Sequence, residues 1–205
     1  MAVTFGYVAG SVPFAFVLAR RHGVDLRLVG SGNVGAANLL RAGGTVDALA
    51  ALGLDALKGA LAVLVVQRFA DAPATPVAAG FAAIVGHVYP VWLRFRGGKG
   101  VATAGGVFTV LAPLAVAAAA GAFVVAVWVT KYVSVGSLAA TVTLAAVAAH
   151  QASPAVAIGA AAAAVIIVHR HRDNVARLLA GTERRIGQRI LPEPATRVPR
   201  DGGAP

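Results

Sequence analysis

Long apolar runs separated by short polar islands dominate this chain, and that alternation sets the expected architecture. Seven apolar segments can be drawn: Val3–Ala19, Ala48–Gln67, Pro76–Leu93, Val101–Ala112, Pro113–Thr130, Ser137–His150 and Pro154–Val168. None alternates in polarity as the strands of a membrane barrel do, so each predicts a helix. Within the uninterrupted stretch from Val101 to Thr130, Pro113 marks the place where a helix must kink or break. That stretch is either one long span or two short ones.

The charges between the runs choose between the two. Arg20, Arg21, Arg27 and Arg41 fall in the first island, Arg94, Arg96 and Lys99 in the third, and the tail from Arg170 on is again basic. The second island carries Arg68 beside Asp71. Basic loops face the cytoplasm, which places the N-terminus outside and the C-terminus inside. Splitting at Pro113 also puts Lys131, Ser134 and Ser137 inside, whereas a five-span alternative leaves them outside. The expected fold class is therefore an all-α polytopic membrane bundle of seven helices, several of them short, tilted or partly re-entrant. The N-terminal segment has its positive charges after the apolar stretch and reads as a retained first span. Residues 1–190 are expected to form one membrane domain. The basic, proline-bearing end from Arg184 on, 191–205 above all, reads as a disordered cytoplasmic tail.

Composition agrees with the pattern. Charged residues make up 13% and hydrophobic ones 58%, with a mean hydropathy of +0.77, whereas soluble domains carry about a quarter charged residues. A net charge of +10 raises the question of nucleic acid. The basic residues sit in short loops without aromatic interleaving, so anionic head groups or phosphorylated substrates are the expected partners and nucleic acid is not. With no cysteine, disulfides, thiol nucleophiles and cysteine-ligated metals are excluded.

Three polar stretches carry candidate chemistry. The first runs from Asp25 to Arg41. Gly30, Gly32 and Gly35 allow tight turns and close approach of amides to an anion; Ser31, Asn33 and Asn38 offer hydrogen bonds; Arg41 offers a bidentate phosphate contact. The spelling GxGxxG is that of a dinucleotide site, but no strand precedes it and no βαβ unit surrounds it. A loop using its glycines for turns alone is the competing reading.

The second stretch, Gly86-His87 followed by Gly97-Gly98-Lys99-Gly100, resembles a fragment of a nucleotide P-loop, yet it lacks both the earlier glycine and the Ser/Thr after the lysine. It reads better as a flexible loop delivering one ammonium to an anion at the start of a helix near Val101. Lys99 could equally be a positive-inside anchor, and His87 a packed helix residue. In the third stretch, His171, Asn174 and Arg177 recur at threefold spacing and share one helix face, with Gly181 placed to end that helix. A solvated amphipathic tail helix fits the same pattern. Asp55 and Lys58 lie inside the second span at a spacing that lets them pair, for structure or for function. Ser134 and Ser137 could cap the following helix or touch a substrate.

These stretches together resemble the bacterial acyl-phosphate-dependent glycerol-3-phosphate acyltransferases. The resemblance rests on Gly10-Ser-Val-Pro-Phe14, the loop at 30–38, Gly86-His87 with 97–103, and the run at 170–183, in order and at family-like spacing. Ala37 departs from the pattern, which usually has threonine there. The resemblance implies an enzyme of the bacterial plasma membrane, active at the cytoplasmic face and expected to be monomeric. Its implied reaction moves an acyl group from acyl phosphate to the 1-hydroxyl of glycerol 3-phosphate, without cofactor or metal. Ser31, Arg41, Lys99, His171 and Asn174 are the implied catalytic residues. Gly30, Gly32, Asn33, Gly35, Asn38, His87, Gly97, Gly98 and Ser137 are the implied substrate-binding ones. A membrane carrier of phosphorylated molecules, or a catalytically silent paralogue, would use the same loops; the carrier predicts inverted repeats, and none is visible.

Overall fold

The computed structural model describes residues 1–42 and 44–188. Among them every regular element is helical: α1 (Ala2–Gly10), α2 (Phe14–Arg21), α3 (Ala36–Arg41), α4 (Thr45–Gln67), α5 (Ala74–Val88), α6 (Val101–Leu111), α7 (Pro113–Thr130), α8 (Val133–Gln151), α9 (Pro154–Arg170) and α10 (Arg172–Leu179), with a 3₁₀ turn at Val91–Leu93. The all-α membrane architecture read from the sequence is the one found. Proline sets two of the boundaries: Pro113 and Pro154 each open a helix, where a missing amide costs nothing.

The count of seven crossings is not confirmed. Five stretches are long and apolar enough to cross a membrane (Ala2–Arg21, Thr45–Gln67, Ala74–Leu93, Pro113–Thr130 and Val133–Gln151), and six if the bent pair α9–α10 counts as one span. Helix α6 has 11 residues, about 16 Å at 1.5 Å per residue, against an apolar thickness of roughly 30 Å. Its two ends nevertheless lie at opposite ends of the bundle. Gly100 sits beside Val88 and Ile167, while Leu111 shares a cavity with Gln67, Pro73 and Ser153.

The first apolar run is interrupted where the sequence suggested continuity. Helix α1 stops at Gly10, and α2 begins only after Pro13. The break releases the Val12 carbonyl, which accepts a hydrogen bond from the Lys58 ammonium at 2.7 Å. The Ser11 hydroxyl donates to Val8 O and accepts the Trp92 indole N–H, both at 2.8 Å. A backbone break at membrane depth is tolerated only when its polar groups are satisfied inside the protein, as they are here.

Two apolar cores result. The larger joins α4 to α9 through Val63, Ile84, Phe108, Leu144 and Ile167; the smaller gathers Ala19, Leu26, Leu39 and Ala51 around α2 and α3. Large apolar side chains such as Leu61, Val125 and Trp128 point outward, which suits a surface facing hydrocarbon. Small residues set the helix spacing. A Cβ on Gly10 would overlap the Ala83 backbone between α1 and α5, and one on Gly106 would overlap Ala56 between α6 and α4. Gly10→Val is therefore expected to destabilise the fold by about 1–3 kcal/mol, the usual cost of overpacking. Thermal unfolding in detergent checks this, with Gly53→Ala, whose Cβ meets nothing within 4 Å, as the matched control.

Candidate active site

One cavity of about 390 Å³ opens between the polar loops and helices α6 to α9. One end is lined by Ser31, Asn33, Arg41, Lys99, His171 and Asn174, the other by Val116, Ala119, Phe123, Val124, Leu144 and Ile167. A cationic, hydrogen-bonding head thus continues into an apolar trough.

The loop before α3 builds one wall. Gly30 and Gly32 adopt left-handed backbone at φ of 61° and 69°, open to glycine without steric cost. Gly35 does not: its φ is −103°, and it serves as the residue preceding α3, so the expectation of a third glycine turn is corrected. Asn38 is buried and committed to the loop itself. Its Oδ1 accepts from the Ser31 amide at 3.0 Å, and its amide donates to Leu26 O at 3.1 Å and Val29 O at 3.0 Å. It shapes the loop around Ser31, with little capacity left to bind substrate. Asn33 donates to Gly97 O at 3.4 Å, tying this wall to the next.

The second wall is pinned to the end of α5. The Gly97 amide donates to Val88 O at 3.0 Å and the Gly98 amide to His87 O at 3.1 Å. A Cβ at Gly97 would overlap His87 O, and one at Gly98 would overlap His87 Nε2, so the double glycine is required by close approach. The loop is therefore fixed rather than freely flexible. Gly100, at φ of 90°, turns the chain into α6, whose first residues line the cavity.

The third wall is a charged relay. Lys99 donates to Asn174 Oδ1; the Asn174 amide donates to Glu183 Oε1 at 2.6 Å; and Arg177 Nε donates to Glu183 Oε2 at 2.7 Å. His171 lies at the bend between α9 and α10, and Asn174 in the first turn of α10. The single helix face expected from the spacing is interrupted there, although both side chains are buried. Gly181, at φ of 70°, follows the end of α10 as expected. Burial pushes the Lys99 ammonium down to about 8; Glu183 opposes the shift, while Arg177, Arg41 and Arg170 add to it. Burial disfavours ionised Glu183, but hydrogen bonds from Asn174 and Arg177 outweigh that and hold its carboxyl below the usual range. His171 Nδ1 lies 2.8 Å from Ile167 O, so that nitrogen carries the proton and Nε2 is the acceptor.

The family model for glycerol-3-phosphate acyltransferases matches residues 1–181. The chain belongs to this family. Among its relatives, the glycerol-3-phosphate acyltransferase of Brucella suis (strain ATCC 23445 / NCTC 10510) is 45% identical over 187 residues, covering 91% of this chain and 92% of that one. The Brucella anthropi protein of the same name is 43% identical over the same share. The crystal structure of PlsY (YgiH), an integral membrane glycerol 3-phosphate acyltransferase, in its glycerol 3-phosphate form superposes with a TM-score of 0.86 at 38% identity. It covers 91% of this chain and 94% of that one. The lysophosphatidic acid form gives 0.84 at 36%.

Within this member of the glycerol-3-phosphate acyltransferase family, the cavity gathers Ser31, Asn33, Gly35, Asn38, Arg41, His87, Lys99, Ser137, His171 and Asn174, ten of the residues singled out from sequence. Gly97 and Gly98 line a small adjoining cavity with His87 and Asp55, while Gly30 and Gly32 act through the turn. Ser134 and Ser137 lie inside the first turns of α8, which has no side-chain cap, so the capping reading is set aside. Ala37 borders both the main cavity and a second one beside Arg41.

Arg170 and Glu183 open and close the motif at 170–183, but the sequence assigned neither a role in the site. Arg170 stacks over the Tyr89 ring and reaches Gly97 O at 3.3 Å. Asp55 and Lys58 do pair, at 2.7 Å, and also meet His87. The chain after α10 is not loose as far as it is described: Arg184 donates to Gly30 O at 3.3 Å and the Ile186 amide to Lys131 O at 2.8 Å. Residues 191–205, expected to be a disordered tail, lie outside the described residues.

Proposed function

We propose that this protein transfers an acyl group from acyl phosphate to the 1-hydroxyl of glycerol 3-phosphate, releasing lysophosphatidic acid and phosphate. The observation that carries this reading is the shape and polarity of one cavity, cationic at its loop end and apolar along α6 to α8. A phosphorylated head and an acyl chain joined through one carbonyl need that arrangement.

Two anions must be held together against their repulsion, which assigns Arg41 and Lys99 to charge neutralisation and Ser31 with its loop amides to phosphate binding. Ser137, His171 and Asn174 complete the glycerol phosphate site, with the His171 Nε2 lone pair accepting from the 2-hydroxyl, which leaves the 1-hydroxyl proton to the leaving group. The hydroxyl oxygen attacks the acyl carbonyl, the bond to phosphate breaks, and the departing phosphate takes the proton. An activated mixed anhydride needs no covalent enzyme intermediate, so positioning supplies most of the catalysis. In this reading the polar end faces the cytoplasm of a bacterial cell, with the N-terminus outside, and the basic residues of the loops support that orientation.

Purified protein in lipid mesophase, given palmitoyl phosphate and glycerol 3-phosphate, is expected to release phosphate and form lysophosphatidic acid only when both are present. Turnover with palmitoyl-CoA and none with palmitoyl phosphate would overturn the donor assignment. Binding of glycerol 3-phosphate without any turnover would favour the silent paralogue.

The pH profile is a second check. Lys99 loses its proton as pH rises through about 8, and the anion site loses a cation with it. Above that pH, kcat/KM is expected to fall by about tenfold per unit. Lys99→Arg, which stays charged, is expected to remove this alkaline limb whatever its absolute rate.

A further inference from the structure

His87 and His171 both border the cavity, and their hydrogen bonds set them in opposite tautomers. His171 gives its Nδ1 proton to Ile167 O. His87 is the reverse. Its Nδ1 lies 3.1 Å from Lys58 Nζ, and the same ammonium reaches Asp55 Oδ1 at 2.7 Å and Val12 O at 2.7 Å. An ammonium has only protons to offer, so Nδ1 must present its lone pair. Asp55 Oδ1, at 3.5 Å and off the angles of a good hydrogen bond, is too far to claim an Nδ1 proton against that nearer cation. The neutral ring then carries its hydrogen on Nε2. That nitrogen lies against the bare Cα of Gly98, where a Cβ would overlap it, and has no hydrogen-bond partner among the described residues.

We propose that Lys58 is a positioning residue that holds His87 in the Nε2–H tautomer, so that His87 serves the phosphate site as a hydrogen-bond donor and not as its base. Each part of the surroundings has a place in this arrangement. The helix break at Pro13 frees the Val12 carbonyl that orients the ammonium, and Asp55 balances its charge inside the membrane domain. The paired glycines allow the ring edge to reach the loop that carries Lys99. The side chains of Asp55, Lys58 and His87 are 3%, 5% and 9% exposed, so the trio is held by its surroundings while the His87 ring still borders the cavity. The sequence pairing of Asp55 with Lys58 thereby gains a function. The proposal rests on the acyl-phosphate reading only for the identity of the anion.

The decisive measurement uses the intact protein with 15N-labelled histidine, the His87 signals being assigned by their loss in His87→Gln. A pyridine-like Nδ1 and a pyrrole-like Nε2, with the latter moving on titration with inorganic phosphate, is the expected result. The opposite tautomer, an imidazolium, or an Nε2 indifferent to bound phosphate would overturn it. Kinetics supply an independent arm. His87→Ala is expected to raise KM for the acyl phosphate by about 10–100-fold, the loss of one donor to a charged group, and His87→Gln, with an N–H in the same place, to recover a large part of that. Equal losses of kcat in both variants, with KM unchanged, would make His87 a base and end the proposal.

Lys58→Met is expected to mix the His87 tautomers and raise KM in the same direction. Because it strands the Asp55 charge, the double variant Asp55→Asn/Lys58→Met is measured beside it and is expected to show the same mixed tautomers in a folded protein. A pure Nε2–H ring in that double variant would remove Lys58 from the argument. Protein that transfers no acyl group but shows the expected tautomer and phosphate response would sink the reaction assignment and leave this one standing.

Discussion

Lys99→Ala is expected to lower kcat/KM by about 10²–10³-fold, the usual cost of removing one preorganised donor at a developing or transferred charge, while leaving the protein folded. Its ammonium is held at the mouth of α6 by the Gly97–Gly98 pairing to α5 and by its bond to Asn174, so it is aimed at the cavity before any substrate arrives. Arg41 and Arg177 remain to give the cavity a positive field, which bounds the loss. Rates with both substrates, taken with thermal unfolding in detergent, decide the matter. A variant within about threefold of the parent, where a single surface interaction would leave it, would mean that Lys99 is only an anchor at the membrane face.

Glu183→Gln should show the second largest effect, at a residue that touches no substrate in the proposed mechanism. The carboxylate is 7% exposed and takes hydrogen bonds from Asn174 at 2.6 Å and Arg177 at 2.7 Å. It fixes which end of the Asn174 amide faces Lys99. A glutamine there offers its own N–H groups and can turn the Asn174 amide over, leaving a buried donor unmatched at about 1–3 kcal/mol, or about 10–100-fold in rate. The loss of charge adds a directional signature. Glu183 raises the Lys99 ammonium against its burial, so its removal lowers that group further. The alkaline limb of kcat/KM, expected near pH 8 in the parent, should therefore move to lower pH in Glu183→Gln. A limb that stays in place or moves up would show that Glu183 does not act through Lys99.

Both residues lie in stretches that were visible in the sequence, but they were not equally legible. Lys99 stands between glycines just before the start of a helix, a setting that suits delivery of a cation to an anion. Glu183 follows Gly181 in a basic stretch that looks solvated. Its burial comes from the turn after α10, which folds the chain back over the cavity and bonds Arg184 to Gly30 and Ile186 to Lys131. Nothing local requires that return. Asn38 shows the converse: its residue type suggested a ligand, whereas the partners it found are carbonyls of its own loop.

By itself the sequence determined the helical membrane class, the helix starts at Pro113 and Pro154, and the islands from which the site is built. These follow from periods, prolines and charges that act within a few residues. Tertiary structure alone decided that α1 and α2 part at Ser11–Pro13, that Glu183 is buried over the cavity, and that Lys58 meets Val12 and His87 at once. Each of these depends on a partner many residues away, because a broken backbone or a buried charge is stable in an apolar bundle only where another segment supplies the missing hydrogen bond.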